Sequence, residues 1–336
     1  MCPEGEKLVL LLKYLRWVWG AALAAALAFG ATTETSGVDK QLLEGRQLRA
    51  QGRYAEARQA IDALLRDTQR VPPESHLAAV VLDELGMNEG NLGNYGEGET
   101  AFNRALAILH GSAADDPALS SVKIHLAELY LAEWRPADAD PLLRQASAAL
   151  RSAAPTDRVA LAAAYNDLAV ACVMLRKHQE AETLLRQAQA LIAAEFGPDD
   201  PMVANSLVPL AGALLAQRRY DEAVTVAEQA WHNLQSASAS VAEPDLAGVL
   251  NVLSVVYFHA GRTAEAESYG RQAVARAEAV LGPRHPRLGL YLANYAAILK
   301  RMGRKDQAKE MQHRADAILA QISRGAGHTI SVDAMR

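Results

Sequence analysis

Seven times along this chain a short polar turn runs into a small residue, and the spacing between these points hardly varies. The strings GRYAEA, GNYGEG, RPADA, KHQEA, RRYDEA, GRTAEA and GRKDQA end at Ala57, Gly98, Ala139, Ala181, Ala223, Ala266 and Ala308, at intervals of 41, 41, 42, 42, 43 and 42 residues. A length of 336 residues taken alone suggests two domains. A period this steady points instead to a repeat array, in which no unit can bury its apolar surface alone and each must stack on the next.

Two further small positions travel with the anchors. Seven residues beyond lie Ala105, Ala146, Ala188, Ala230, Ala273 and Ala315, and twelve residues before lie Gly86, Ala127, Ala169, Ala211, Ser254 and Ala296. Such a set is needed where two antiparallel helices approach too closely for a large side chain. Larger residues surround it at helical spacing, as at Leu168, Leu184, Leu185, Leu210 and Leu214. The composition agrees: half the residues are hydrophobic, many of them alanine, and strand-forming runs are scarce. In the fifth unit the pattern predicts helices over 202–217 and 220–236. DDP (115–117), GPDDP and GPRHP close one unit and open the next, with Pro201 and Pro286 in a first helical turn, where a missing N–H costs nothing.

This small-large-small pattern resembles the tetratricopeptide repeat over about residues 38–323. The longer unit, with G-P-x-x-P between repeats, is similar to the kinesin light chain variety, and Asn166-Asp167-Leu168-Ala169 comes nearest to its Asn-Leu-Ala signature. Gly98 and Glu89 make the second unit irregular, and the first helix of the first unit is short. The resemblance implies an all-α, right-handed α-solenoid of about seven helix-turn-helix repeats, with the first helices lining a groove for a peptide or partner segment.

Counting the small residue before each anchor as place 8, the resemblance turns places 2, 5, 9 and 13 toward that groove. Asn166, Asn205 and Asn251 would then hydrogen-bond the backbone of an extended peptide, since an amide both donates and accepts. Val170, Val255 and Met174 would receive apolar side chains, with Glu128, His259 and Arg301 on the same face. Packing between neighbouring first helices is the alternative role for the same residues. Arg301 is the sole cation at these places, so a clamp for a C-terminal carboxylate is not expected.

The first thirty residues differ in kind. MCPEGEKLVLLLKYLR carries Lys7, Lys13 and Arg16, and WVWGAALAAALAFGA (17–31) follows without a charge, the pattern of a secretory signal with small residues for cleavage near Ala26, Ala28 and Gly30. An uncleaved anchor over 8–31 would have to include Lys13 and Arg16. Either reading places the body outside the cytoplasm, periplasmic, secreted or membrane-tethered. A misassigned start would leave a cytoplasmic adaptor. The resulting division is a signal or anchor (1–31), a linker (32–37), the array (38–323) and a tail (324–336).

Chemistry is hard to find. The nine His are scattered with no HExxH pair, and Cys172, in LAVACVML, reads as a buried thiol, so no metal site is expected. GNLGNYGEG lacks the Lys-Ser/Thr ending of a phosphate loop, and there is no G-x-S-x-G elbow. Asp199 and Asp200 are adjacent on a turn, where they suit a helix N-terminus rather than a catalytic pair. A net charge of −5 and 5% aromatic residues argue against nucleic acid. The sequence therefore reads as a non-catalytic scaffold without cofactor, whose partner is a protein or peptide, with self-assembly into a homo-oligomer as the alternative. Near its end Lys300, Arg301, Arg304, Lys305, Lys309, Arg314 and Arg324 form either a solvated cap or a contact for an acidic partner or phospholipid head groups.

Overall fold

A computed structural model describes residues 37–113, 116–152, 158–236, 243–283 and 285–325. The signal or anchor, nearly all of the linker and nearly all of the tail lie outside these residues. Fourteen helices account for the described chain: α1 (Gly37–Ala50), α2 (Tyr54–Arg66), α3 (His76–Leu92), α4 (Tyr95–Ile108), α5 (Pro117–Ala132), α6 (Pro136–Ser152), α7 (Arg158–Met174), α8 (His178–Phe196), α9 (Pro201–Ala216), α10 (Tyr220–Ser236), α11 (Glu243–His259), α12 (Thr263–Leu281), α13 (Pro286–Arg301) and α14 (Lys305–Gly325). Odd-numbered helices are the first of each repeat and even-numbered ones the second. The pair expected at 202–217 and 220–236 is found within one residue, and α1 is short at 14 residues against 16 in α9. Among the described residues no helix is long and apolar enough to cross a membrane.

The helices fall into two compact units, residues 37–171 and 172–325 of the described chain, divided within α7. In the N-terminal unit, α1 packs on α2, α3 on α4 and α5 on α6, while α2 and α4 each also touch the next first helix. The C-terminal unit repeats the scheme with α9 through α14, and in both units successive first helices touch one another.

The small residues sit where the spacing requires. Ala105, Ala146, Ala188, Ala230, Ala273 and Ala315 are at most 1% exposed. Gly86 shows why size is limited there: an added Cβ would lie 2.6 Å from the Phe102 ring, which is itself buried. In the C-terminal unit the exchange runs the other way, since Gly270 on α12 leaves room for Tyr295 of α13. The irregular second unit has a physical basis too. Gly98 lies close to the Gly86 carbonyl and to Leu129, and buried Glu89 takes Arg58 at 2.9 Å and Asn94 at 2.8 Å.

Between repeats, Asp116, Asp200 and His285 cap α5, α9 and α13 by accepting the backbone N–H of Ala118, Met202 and Arg287, with Pro117, Pro201 and Pro286 as the first helical residues. Within repeats, the turn from first to second helix always carries a left-handed residue: Gly52, Gly93, Gly261 and Gly303, but also Trp134, Arg176 and Arg218 at φ near 62° (61°, 63° and 62°). The next residue is usually basic, and it ties repeats together. Arg135 reaches Glu99 of the preceding repeat at 3.2 Å and Asp138 of its own at 2.8 Å. Arg219 likewise joins Glu182 (2.5 Å) and Glu222 (2.6 Å), and Arg304 joins Glu267 (3.1 Å) and Gln307. In the first repeat the polarity is reversed: Arg58 stands on the second helix and reaches forward to Glu89 and Glu97.

Candidate binding surface

First helices meet side by side, and a recurring polar contact joins place 5 of one to place 6 of the next. In the N-terminal unit Asp83 of α3 faces His125 of α5, both carboxylate oxygens lying 2.9 Å from Nδ1. In the C-terminal unit Asn251 of α11 accepts a hydrogen bond from the Asn294 amide of α13 at 3.0 Å. The same scaffold thus carries charge in one unit and neutral amides in the other.

The charged version is a network. Glu84, beside Asp83, binds Arg46 at 2.6 Å and Arg49 at 2.7 Å. Burial favours the neutral form of Glu84, but the two guanidiniums outweigh it and hold the carboxyl below its ordinary range. Burial likewise opposes a charge on His125, yet the carboxylates of Asp83, Glu128 and Glu84 raise its pKa to about 9. Glu128, at place 9, is half-buried beside this network.

The amide version leaves hydrogen-bonding capacity. Asn251 is 6% exposed and turns its oxygen to Asn294, whereas Asn294 is half-exposed and spends only one of its N–H groups on that bond. Half-buried Val255, Ala293 and Ala297 lie at neighbouring places, giving an apolar strip beside the amide. At its far end, His259 stacks on Tyr220 with centroids 6.1 Å apart and meets the Phe258 ring edge-on at 5.4 Å. The Arg301 guanidinium lies 5.3 Å from the centre of the Phe258 ring.

The other expected residues are distributed along the first helices. Asn166, Val170 and Met174 are spaced four apart on α7, and Met174 is half-buried. Asn166 is only 1% exposed, with no hydrogen-bond partner for either amide atom, and Val170 is 5% exposed. Asn205 lies on α9, and its side chain is outside the described residues. Sequence reasoning missed Asn294, Phe258 and Tyr220. Asn294 stands one place beyond the position counted, and the rings occupy the turn edge rather than the groove places. A half-exposed aromatic at the end of a first helix, in a chain with so few, was the available signal.

Among the described residues, no group of three or more His, Cys, Asp or Glu is placed to hold a metal. Cys172 is fully buried.

Comparison with known proteins fits this architecture. Residues 160–231 and 245–320 match the family model of the tetratricopeptide repeat. Among curated proteins none matches the sequence. Among solved structures, a Podosopora anserina protein of nearly identical TPR-like repeats, of kinesin light chain type, is 25% identical with a TM-score of 0.48, covering 63% of this chain and 99% of that one. BtubC (BKLC) from P. vanneervenii is 22% identical with a TM-score of 0.54, covering 69% and 92%. A Rap protein complexed with competence and sporulation factor is 14% identical with a TM-score of 0.65, covering 86% and 78%. The matched segments, 160–231 and 245–320, are tetratricopeptide repeats, and the other described helices form helix-turn-helix units of the same kind.

Proposed function

We propose that this protein is a non-catalytic interaction scaffold that holds an extended protein segment along the first helices of its C-terminal unit. The observation carrying the proposal is the Asn251–Asn294 pair set in the apolar strip of Val255, Ala293 and Ala297. An amide that both donates and accepts satisfies the backbone of an extended chain without reading its sequence, and the strip receives its apolar side chains. Solved structures of the same fold support the reading: the Rap protein above holds a competence and sporulation factor, and NprR, at a TM-score of 0.57, is complexed with its cognate peptide NprX.

The test is selection of random displayed peptides, about twelve residues long, on the immobilised full chain. Selected peptides are expected to lose about tenfold in affinity on Asn294→Ala, which removes the accessible amide. Peptides that bind equally well to that variant would sink the assignment.

The basic segment and apolar run of residues 1–31 support the further reading that the scaffold is exported or tethered outside the cytoplasm. N-terminal sequencing of the mature protein is expected to begin near residue 31. A mature chain beginning at Met1 and recovered from the cytoplasm would refute export.

A further inference from the structure

In the C-terminal unit the inner repeats cover their seams, and the seventh repeat replaces one corner of that seam with lysine. Val173 and Leu215, near the ends of the first helices of the fourth and fifth repeats, are buried, and the equivalent residue of the seventh is exposed Lys300. Glu182 and Glu267 meet the basic turn of the following repeat, and their equivalent on α14 is exposed Lys309. His178 and Tyr220 open α8 and α10 as half-buried rings, whereas exposed Lys305 opens α14. Among the described residues no helix follows α14, so this corner needs polar side chains. It does not need them all of one sign.

These charges are not spent inside the molecule. Among the described residues Lys300, Lys305 and Lys309 have no carboxylate within ion-pair distance, while neighbouring guanidiniums do: Arg304 is held by Glu267 and Gln307, and Arg314 by Glu278. Between residues 300 and 310 the sequence sets five cations against Asp306 and Glu310. Each of those two acids follows a lysine directly and so stands about 100° around α14 from it. The matching turn of the fifth repeat balances Arg218 and Arg219 with Asp221 and Glu222, so the excess belongs to the seventh.

The chemistry of the corner selects its occupant. An ammonium on a four-carbon stem is a mobile point charge, suited to a diffuse anionic surface, whereas a fixed carboxylate is better met by the planar guanidinium. Between the lysines the chain reverses at Gly303, and Met302 beside it is 41% exposed. A flexible thioether amid lysines gains by leaving water for the boundary between head groups and acyl chains.

We propose that this corner is a peripheral contact for an anionic lipid surface, with Lys300, Lys305 and Lys309 on the head-group phosphates and Met302 entering the interface between them. The contact goes beyond the peptide reading and does not depend on it, since Asn294 lies about 9 Å back along α13 from Lys300.

Flotation of the full chain tests it, comparing vesicles of pure phosphatidylcholine with vesicles containing about 40% phosphatidylglycerol. The neutral vesicles report whatever residues 1–31 contribute, and the gain on the anionic ones reports the corner. That gain is expected to reach at least about tenfold in apparent affinity near 0.05 M salt and to shrink as salt rises. Lys300→Gln, Lys305→Gln and Lys309→Gln combined should abolish it, the same three changes to Arg should keep it, and Met302→Ser should cut it about threefold. Arg66→Gln, Arg104→Gln and Arg151→Gln combined remove as much charge from exposed sites of the N-terminal unit and should leave the gain within about twofold, as should Asn294→Ala. Equal flotation with both kinds of vesicle overturns the proposal, as does a loss in the Arg66, Arg104 and Arg151 variant as large as in the lysine variant. Displacement by millimolar glycerol phosphate would make the corner a site for free phosphate and overturn it. A gain unchanged in Met302→Ser overturns it too, and binding of polyglutamate by that variant would then assign the lysines to an acidic protein.

Discussion

Arg176 takes up a backbone shape that four other repeats give to glycine. At φ 63° its Cβ crowds the following carbonyl, a cost of roughly 1–2 kcal/mol that glycine avoids. Arg176→Gly is therefore expected to stabilise the protein by roughly 1 kcal/mol, less what glycine loses in chain entropy, as read from guanidinium denaturation. A fall in stability would mean that the exposed Arg176 side chain makes a contact larger than the strain. Asn251 marks how far single residues were legible. Its type and spacing picked it out, and the fold spends its oxygen on Asn294, so the amide left for a ligand belongs to the neighbour. Periodic counting compares equal places, whereas adjacent first helices pair place 5 with place 6. That offset comes from how the helices lie against one another, and no single repeat contains it.

At the scale of helices the sequence was far more informative, because close approach leaves a mark on residue size. The alanines at Ala188 and its equivalents fixed the register of the second helices from α4 to α14, and the proline-bearing turns fixed the starts of α5, α9 and α13. Ala188→Leu is expected to cost about 1–3 kcal/mol by overpacking, while Gln187→Leu on the exposed face of the same helix should change stability by less than about 0.5 kcal/mol. Equal effects in thermal denaturation would show that the face is misassigned. What size patterns do not reveal is compensation across positions. Phe102 fills the space above Gly86, and Tyr295 fills the space above Gly270, so one void is closed from the second helix and the other from the next first helix. The basic turns were read as punctuation, and their second role, reaching the preceding repeat through Glu99, Glu182 and Glu267, depends on which helix lies alongside, which no single repeat contains.

Across the whole molecule, two histidines give the units opposite responses to pH. His125 in the N-terminal unit has its pKa raised to about 9, so its stabilisation is fully present below about pH 6.5 and is lost as pH climbs through 9. His285 in the C-terminal unit is lowered to about 4, first by burial and then by the Arg287 charge. Its unfolded form therefore binds the proton first, and stability falls as pH drops from about 6.5 toward 4. Unfolding free energy should peak between these limits. His125→Gln should flatten the alkaline limb, and His285→Asn, which keeps a capping acceptor, the acidic one. An alkaline slope unchanged in His125→Gln would refute the assignment. The reversed polarity of the first junction reaches further. Were the second repeat excised and the ends rejoined in register, Arg58 would be brought to Arg135 and would lose Glu89, with Asp138 in the place of Glu97. Two guanidiniums would share one carboxylate at the new seam. These modules share one shape, yet each is addressed to its neighbour, and their order is as much a part of the design as their number.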